Sequence, residues 1–467
     1  MADLLRQVAA RAQRYLDGLD ARLVAPTQEA LKQLDLLDEP FPECPTDPAA
    51  VIDLLDRVGS PATMATGGGR YFGFVHGGCL PAALAANWLA GAWDQNAALH
   101  VTSPIASRLE EVAQRWLTEA LDLPEDCEAA FVSGATMANF TALAAARTAM
   151  LEGLGWNVEA AGLYGAPPLT VVVSEETHPS VSKALGLLGL GRERVVRVPV
   201  DEQGRMRAEA FPELARPAIV CVQAGNVNTG AVDPVGRICE LAHASGAWVH
   251  VDGAFGLWAK ASPRLAGLVE GVERADSWAT DAHKWLNVPY DSGLAFVRHA
   301  DFLPRAMALR AAYIPKGARR DPGQYTPELS RRARGVEIWA ALRSLGRAGL
   351  ADMIDRTCGH ARHFADALRA AGCEILNEVV LNQVLVRFGD DETTLRVIDH
   401  IQREGTCWCG GTTWQGRTAM RISVTSWATT ARDVERSLRR VIQAWRCEAA
   451  RDVPGDSPVA SVGPLLV

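Results

Sequence analysis

The chain lacks any uninterrupted apolar stretch of about 18 residues, which excludes a membrane-spanning helix from the expectations. It also lacks a long basic run, and its net charge is −8, so nothing electrostatic calls for nucleic acid or an anionic membrane surface as partner. The opening residues Met1-Ala2-Asp3-Leu4-Leu5-Arg6-Gln7 lack the basic, apolar and small-residue regions of a secretory leader. Paired metal-binding cysteines are missing too. Ten cysteines are scattered from Cys44 to Cys447, as expected for reduced thiols in a cytoplasmic protein rather than for a disulfide frame. The closest pair, Cys407-Trp408-Cys409, does not have the CxxC spacing and has no second pair beside it, so no metal is expected. His360 and His363 lie three apart on a helix without a third ligand, and read as a solvated face. There is no internal repeat and no low-complexity tract.

At 467 residues the chain exceeds what one compact core organises, so a large domain with smaller lobes is expected. Residues 1–125 read as a helical arm and segment, broken at Pro26 and at the cluster Pro40, Pro42, Pro45 and Pro48. From 126 to 330, strand-like runs at 129–132, 169–174, 194–198, 218–223, 247–252, 277–280 and 294–298 alternate with helical stretches at 137–153, 181–189 and 235–245. Strands separated by helices mean βαβ units and an α/β fold with a mostly parallel sheet, whose ligands bind beyond the C-terminal strand ends. Residues 331–450 open with a long helix to about 371 and continue as a smaller α+β section, with strands at 381–388 and 420–425 and a last helix at 431–447. The tail 451–467 mixes Pro, Gly, Ser and Asp and reads as loosely held.

Two residues dominate the chemistry. Lys284, in Thr280-Asp281-Ala282-His283-Lys284-Trp285, offers an amine for a Schiff base; Asp252, ending the run His250-Val251-Asp252-Gly253-Ala254, offers an acid at a strand end. Pyridoxal phosphate (PLP) needs both, because a protonated pyridine ring is the electron sink for a carbanion at Cα. Strand alternation puts Trp248, His250 and Asp252 on one face, so a His250–Asp252 hydrogen bond is expected. Ser133-Gly134-Ala135-Thr136 follows a strand and opens an Ala-rich helix, where small residues let backbone N–H groups approach a phosphate; helix capping is the competing use. His178, in a loop after a strand, can stack on a pyridine ring and reach a substrate carboxylate; solvation or capping is the commoner use of a lone loop histidine. The glycines around Gly68 do not form GxGxxG, since residue 72 is Phe, so a nicotinamide site is not expected.

With these residues in view the chain resembles the group II PLP-dependent amino acid decarboxylases (aromatic amino acid, glutamate and tyrosine decarboxylases) from about residue 50 to 445. The likeness rests on Ser133-Gly134-Ala135-Thr136, His178-Pro179-Ser180-Val181, His250-Val251-Asp252-Gly253-Ala254-Phe255-Gly256, His283-Lys284-Trp285 and Ser330-Arg331-Arg332-Ala333-Arg334. It implies PLP fold type I, the aspartate aminotransferase-like architecture, as a homodimer acting on an amino acid. It further implies Lys284 as Schiff-base lysine, Asp252 as pyridinium partner and His178 as stacking residue. Gly134, Ala135, Thr136, Asn226, Ala254 and His283 would complete the cofactor site. Asn226 stands where the family often has Thr. Arg421, in Met420-Arg421-Ile422-Ser423, is similar to the arginine that pairs with the substrate carboxylate in some members. Tyr313, with Tyr325 as fallback, resembles the loop tyrosine that protonates Cα after CO₂ leaves. Phe74 and His76, near Tyr71, Phe72 and Trp93, fall in the substrate-pocket region and point to an apolar or aromatic side chain; core packing is the other use of such residues. The expected reaction is decarboxylation to the amine. Oxidative deamination, aldolase or lyase chemistry, transamination and a non-catalytic scaffold remain open, since fold does not fix reaction.

Overall fold

Alternating apolar residues in the middle of the chain form a seven-stranded sheet in the computed structural model, which describes residues 1–214, 216–309 and 319–452. Its strands are β1 (Glu128–Val132), β2 (Thr170–Ser174), β3 (Val196–Val198), β4 (Ala218–Gln223), β5 (Trp248–Asp252), β6 (Ser277–Asp281) and β7 (Gly293–Val297), in the order β1-β7-β6-β5-β4-β2-β3. β2 to β6 run parallel, and β7 is antiparallel to both β6 and β1. Apart from the edge strand β3, where Val196 and Arg197 are exposed, the strands are buried on both sides, because period-two alternation sends successive side chains into two cores. Val172, Val220, Val249 and Trp278 enter one core; Val173, Cys221, Trp248 and Ala279 enter the other. The second core is closed by the helix Ala135–Glu152, whose buried face is mostly alanine and so lies close on the sheet. This topology gathers Val132, Ser174, Gln223, Asp252 and Asp281 along one sheet edge, where the connections to the helices open a crevice.

A second, antiparallel sheet contains β8 (Glu374–Ile375), β9 (Gln383–Arg387), β10 (Gly410–Trp414) and β11 (Arg417–Ser423) in the order β10-β11-β9-β8. The helices Asp391–Glu404 and Ala431–Ala449 cover it, with Val384, Val386, Ile422, Ile401 and Val434 in a common core. β8, β10 and the helix Asp391–Glu404 go beyond the sequence reading. The glycines of Gly410-Gly411-Thr412-Thr413-Trp414 weaken its strand signal, and pairing with β11 supplies what local propensity does not. The helix was signalled by Asp390, whose side chain accepts the Thr393 N–H at 2.7 Å as an N-cap.

Two element boundaries also differ. The expected single long helix is broken within Gly335–Ala370 at Gly346 (φ 60°, ψ −177°), a backbone state that glycine permits. The first helix, Ala2–Asp17, ends at Gly18 rather than at Pro26, and none of its residues is buried.

Candidate active site

The C-terminal ends of β1, β4, β5 and β6 border a cavity of ≈ 320 Å³. Lys284, Asp252 and His178 all line it, as do Gly134, Ala135 and Thr136 at the start of the helix Ala135–Glu152, and Ala254 and His283. Lys284 sits three residues beyond the end of β6, and its Nζ is 2.9 Å from Asp281 Oδ2. Asp281 Oδ1 in turn accepts the N–H of Ala135 at 2.5 Å. His283 Nδ1 accepts the Ser292 N–H at 3.1 Å, which leaves Nε2 to face Asp281 Oδ1 at 3.4 Å. Burial lowers the His283 pKa, and the Asp281 charge opposes that shift.

The other wall of Lys284 is backbone. A Cβ at Gly77 would lie 2.6 Å from the His283 carbonyl oxygen and 2.9 Å from the Lys284 carbonyl carbon, and closer still to the Lys284 oxygen. Glycine is therefore what allows the segment 71–78 to press against the lysine's main chain.

Asp252 does not bond to His250. The two share a face of β5, yet residues two apart on a strand stand side by side, and the amide of Asn139 enters between them. His250 Nε2 lies 2.8 Å from Asn139 Oδ1, and Asn139 Nδ2 donates to Asp252 Oδ2 at 3.3 Å. Asp252 Oδ1 accepts the Ala254 N–H at 3.3 Å. Full burial pushes the His250 pKa down to about 3, so this imidazole is neutral. His178 caps the helix Pro179–Leu187, its Nδ1 accepting the Ser180 N–H at 3.2 Å. Its pKa is lowered by burial, against the pull of Asp252 and with the push of Lys284 and Arg421.

The donor set fits PLP: an amine, a buried carboxylate across the cavity, a flat imidazole, and an eighteen-residue helix aimed N-terminus first. A Cβ at Gly134 would meet His283 Cε1 at 3.1 Å and Asp281 Oδ1 at 3.3 Å, so glycine keeps this cradle open.

The profile of the pyridoxal-dependent decarboxylase conserved domain matches residues 33–388. The chain belongs to the pyridoxal-dependent decarboxylase family. It is accordingly a carboxy-lyase that uses pyridoxal phosphate. The L-2,4-diaminobutyrate decarboxylase of Rhizobium meliloti (strain 1021) is 30% identical over 416 residues, spanning 84% of this chain and 80% of that protein. The aromatic-L-amino-acid decarboxylase of Bacillus atrophaeus is 29% identical over 354 residues, 73% of this chain and 72% of the relative. Among solved structures, Oryza sativa TDC with PLP and tryptamine superposes with a TM-score of 0.88 at 23% identity, over 95% of this chain and 97% of that one. This last likeness establishes fold type I.

Several residues that the decarboxylase resemblance points to lie away from the cavity wall. Asn226 is one: its Oδ1 accepts the N–H groups of Asn228 at 2.9 Å and Thr229 at 3.2 Å, so its oxygen shapes a turn. Phe74 is 66% exposed and stacks on Trp408, with ring centroids 5.6 Å apart. His76 lies behind Tyr290 (4.7 Å), which stacks on His283 (4.3 Å); burial and His283 bring the His76 pKa down to about 4. Tyr313 lies outside the described residues. Tyr325 is packed under Arg320, 3.8 Å from guanidinium to ring centre, and is half-buried against the core of the helix Ala135–Glu152. Arg421, on β11, is outside the cavity lining yet near enough for its charge to act on His178; it donates to Asn228 Oδ1 at 3.2 Å, and burial lowers its pKa to about 10. The sequence reading did not single out Asp281, Asn139, Ser180 or Gln223. Asp281 stood in plain view, one turn before the lysine.

Proposed function

We propose that the protein decarboxylates an L-amino acid with an aromatic or apolar side chain, releasing CO₂ and the amine, as a cytoplasmic homodimer. The observation that carries the reading is the convergence of Lys284, Asp252 and His178 on one cavity. Bound pyridoxal phosphate supplies the electron sink for the bond between Cα and the carboxylate. Lys284 would hold the cofactor through its amine. Asp252 would keep a proton at the pyridine nitrogen, and His178 would stack on the ring. Gly134, Ala135, Thr136 and His283 receive the phosphate. Arg421 offers a desolvated guanidinium to the substrate carboxylate, a charge-assisted contact that strengthens where water is excluded. Tyr313 delivers the proton to Cα.

Support for an aromatic or apolar side chain comes from the run of rings Phe74, Trp408, Tyr71, His76 and Tyr290 leading to His283. The dimer is supported by apolar surface that needs cover: Trp88, Leu89 and Trp93 on the helix Pro81–Trp93, and Leu5 and Leu16 on the arm, are all exposed. All ten cysteines are free thiols, in keeping with a reducing compartment.

The test is to incubate PLP-loaded protein with a panel of amino acids that includes tryptophan, tyrosine, glutamate and 2,4-diaminobutyrate, measuring CO₂, amine and peroxide together. CO₂ matched by amine from an aromatic substrate supports the proposal. Turnover confined to glutamate or diaminobutyrate refutes the side-chain assignment, and peroxide refutes simple decarboxylation. Lys284→Ala is expected to abolish turnover; near-wild-type activity in that variant would sink the role given to the lysine.

A further inference from the structure

Asn139 is fully buried inside the helix Ala135–Glu152, a setting in which asparagine is a weak helix former. Its amide makes three side-chain hydrogen bonds: Oδ1 with His250 Nε2 (2.8 Å), and Nδ2 with both Asp252 Oδ2 (3.3 Å) and Ser180 Oγ (3.2 Å). The direction of every bond in this group follows from chemistry. A carboxylate only accepts, so the NH₂ of Asn139 faces Asp252 and its carbonyl oxygen faces His250. His250 must then carry its proton on Nε2, which leaves Nδ1 to accept from Ser277 Oγ at 2.9 Å. Ser277 Oγ is free to donate there because it accepts from the indole N–H of Trp248 at 2.8 Å. On the other branch, Ser180 Oγ accepts from Asn139 and passes its own hydrogen to His178 Nδ1 at 2.8 Å. His178 Nδ1 also receives the Ser180 N–H, so the His178 proton is on Nε2.

We propose that Asn139 is a positioning residue that couples the pyridinium partner to the stacking imidazole. One of its N–H bonds holds Asp252. The other acts through Ser180 to fix the tautomer and tilt of His178. The Trp248–Ser277–His250 chain behind it prevents the amide from flipping. Neither Asn139 nor His250, Ser277 or Trp248 is part of the cavity lining, whereas Ser180, His178 and Asp252 are, so the amide sets the geometry of two site residues from behind the wall. The coupling rests on the PLP reading of Lys284, Asp252 and His178 given above.

The test uses holoenzyme reconstituted with PLP labelled with ¹⁵N at the ring nitrogen, comparing wild type, Asn139→Leu and Ser277→Ala. Losing a donor to Asp252 makes the carboxylate a stronger competitor for the ring proton, so the ¹⁵N resonance in Asn139→Leu moves toward that of neutral pyridine. A buried hydrogen bond to a charged group is worth about 10- to 100-fold, and PLP release is expected to accelerate by that factor. The loss of activity falls on kcat more than on KM. Ser277→Ala, which unlocks the amide without touching the site, moves the resonance in the same direction by less. A folded Asn139→Leu holoenzyme with the wild-type resonance and kcat overturns the coupling while leaving the PLP reading intact. If Asn139→Leu does not fold, an unchanged resonance in Ser277→Ala overturns the coupling instead. A wild type that takes up no PLP overturns the functional reading and the coupling with it.

Discussion

Gly77→Ala adds one carbon to the back of the active-site lysine. Carbon atoms pack comfortably at about 3.5–4.0 Å. The new Cβ would stand 2.9 Å from the Lys284 carbonyl carbon and 2.6 Å from the His283 oxygen, with the Lys284 oxygen nearer than either. All three are backbone atoms, so no rotamer change relieves the clash; the segment 71–78 and the lysine must part by about 1 Å in a close-packed interior. Overpacking of this kind costs about 1–3 kcal/mol of stability. In a chain this long that lowers Tm by only a few degrees. Displacing a catalytic group by about 1 Å, by contrast, costs about 10²-fold in rate. The expected variant is thus folded and slow, with kcat down about 100-fold. Thermal denaturation, cofactor absorbance and steady-state kinetics check it. The control is Gly359→Ala, where a Cβ meets nothing within 4 Å in the helix Gly335–Ala370. There, Ala in place of Gly is expected to stabilise by up to about 1 kcal/mol, with unchanged kcat. A Gly77→Ala enzyme with wild-type kcat and Tm would refute the argument that backbone contact fixes the lysine.

His250 makes stability depend on acid. Its folded pKa of about 3 lies below the unfolded 6.5, so the unfolded state binds more protons between those values and stability falls as pH drops through that window. Denaturant unfolding at pH 7 and pH 5 should differ by about 2 kcal/mol from this residue, and His250→Gln should remove that share of the difference. Asp281→Asn keeps an acceptor for the Ala135 N–H but removes a negative charge from the phosphate cradle. Inorganic phosphate should then bind the apoenzyme about 3- to 10-fold more tightly, by calorimetry, and weaker binding would contradict the electrostatic account. Arg421→Met is expected to raise KM for the amino acid about 10- to 100-fold, with Arg421→Lys recovering part of the loss because a point charge replaces a planar fork. Equal KM values in the two variants would dissociate Arg421 from the substrate carboxylate.

The large sheet was legible because all its strands but the edge strand β3 pack on both faces, and a buried β-rich run between helical stretches has few other interpretations. Lys284 and Asp252 were legible for a different reason, since their chemistry is uncommon in combination. What escaped the sequence reading depends on contacts between distant segments. Asn139 and Asp252 meet across a separation of 113 residues, and an asparagine in an Ala-rich helix gives no sign of its partner. Asn226 was open to two uses because a polar residue after a strand serves a turn as readily as a ligand, and here the turn N–H groups claim its oxygen. β10 carries a glycine pair and exists through its neighbour β11. The break at Gly346 leaves the apolar pattern on both sides intact, so periodicity alone passes over it.

The contact between Gly77 and Lys284 separates two kinds of substitution. The segment 71–78 meets the lysine through main chain at Gly77, while the rings beside it make their contacts elsewhere, Phe74 with Trp408 and His76 with Tyr290. A change of ring at 74 or 76 and an added carbon at 77 thus act on different neighbours: side chains in the first case, the backbone of 283 and 284 in the second.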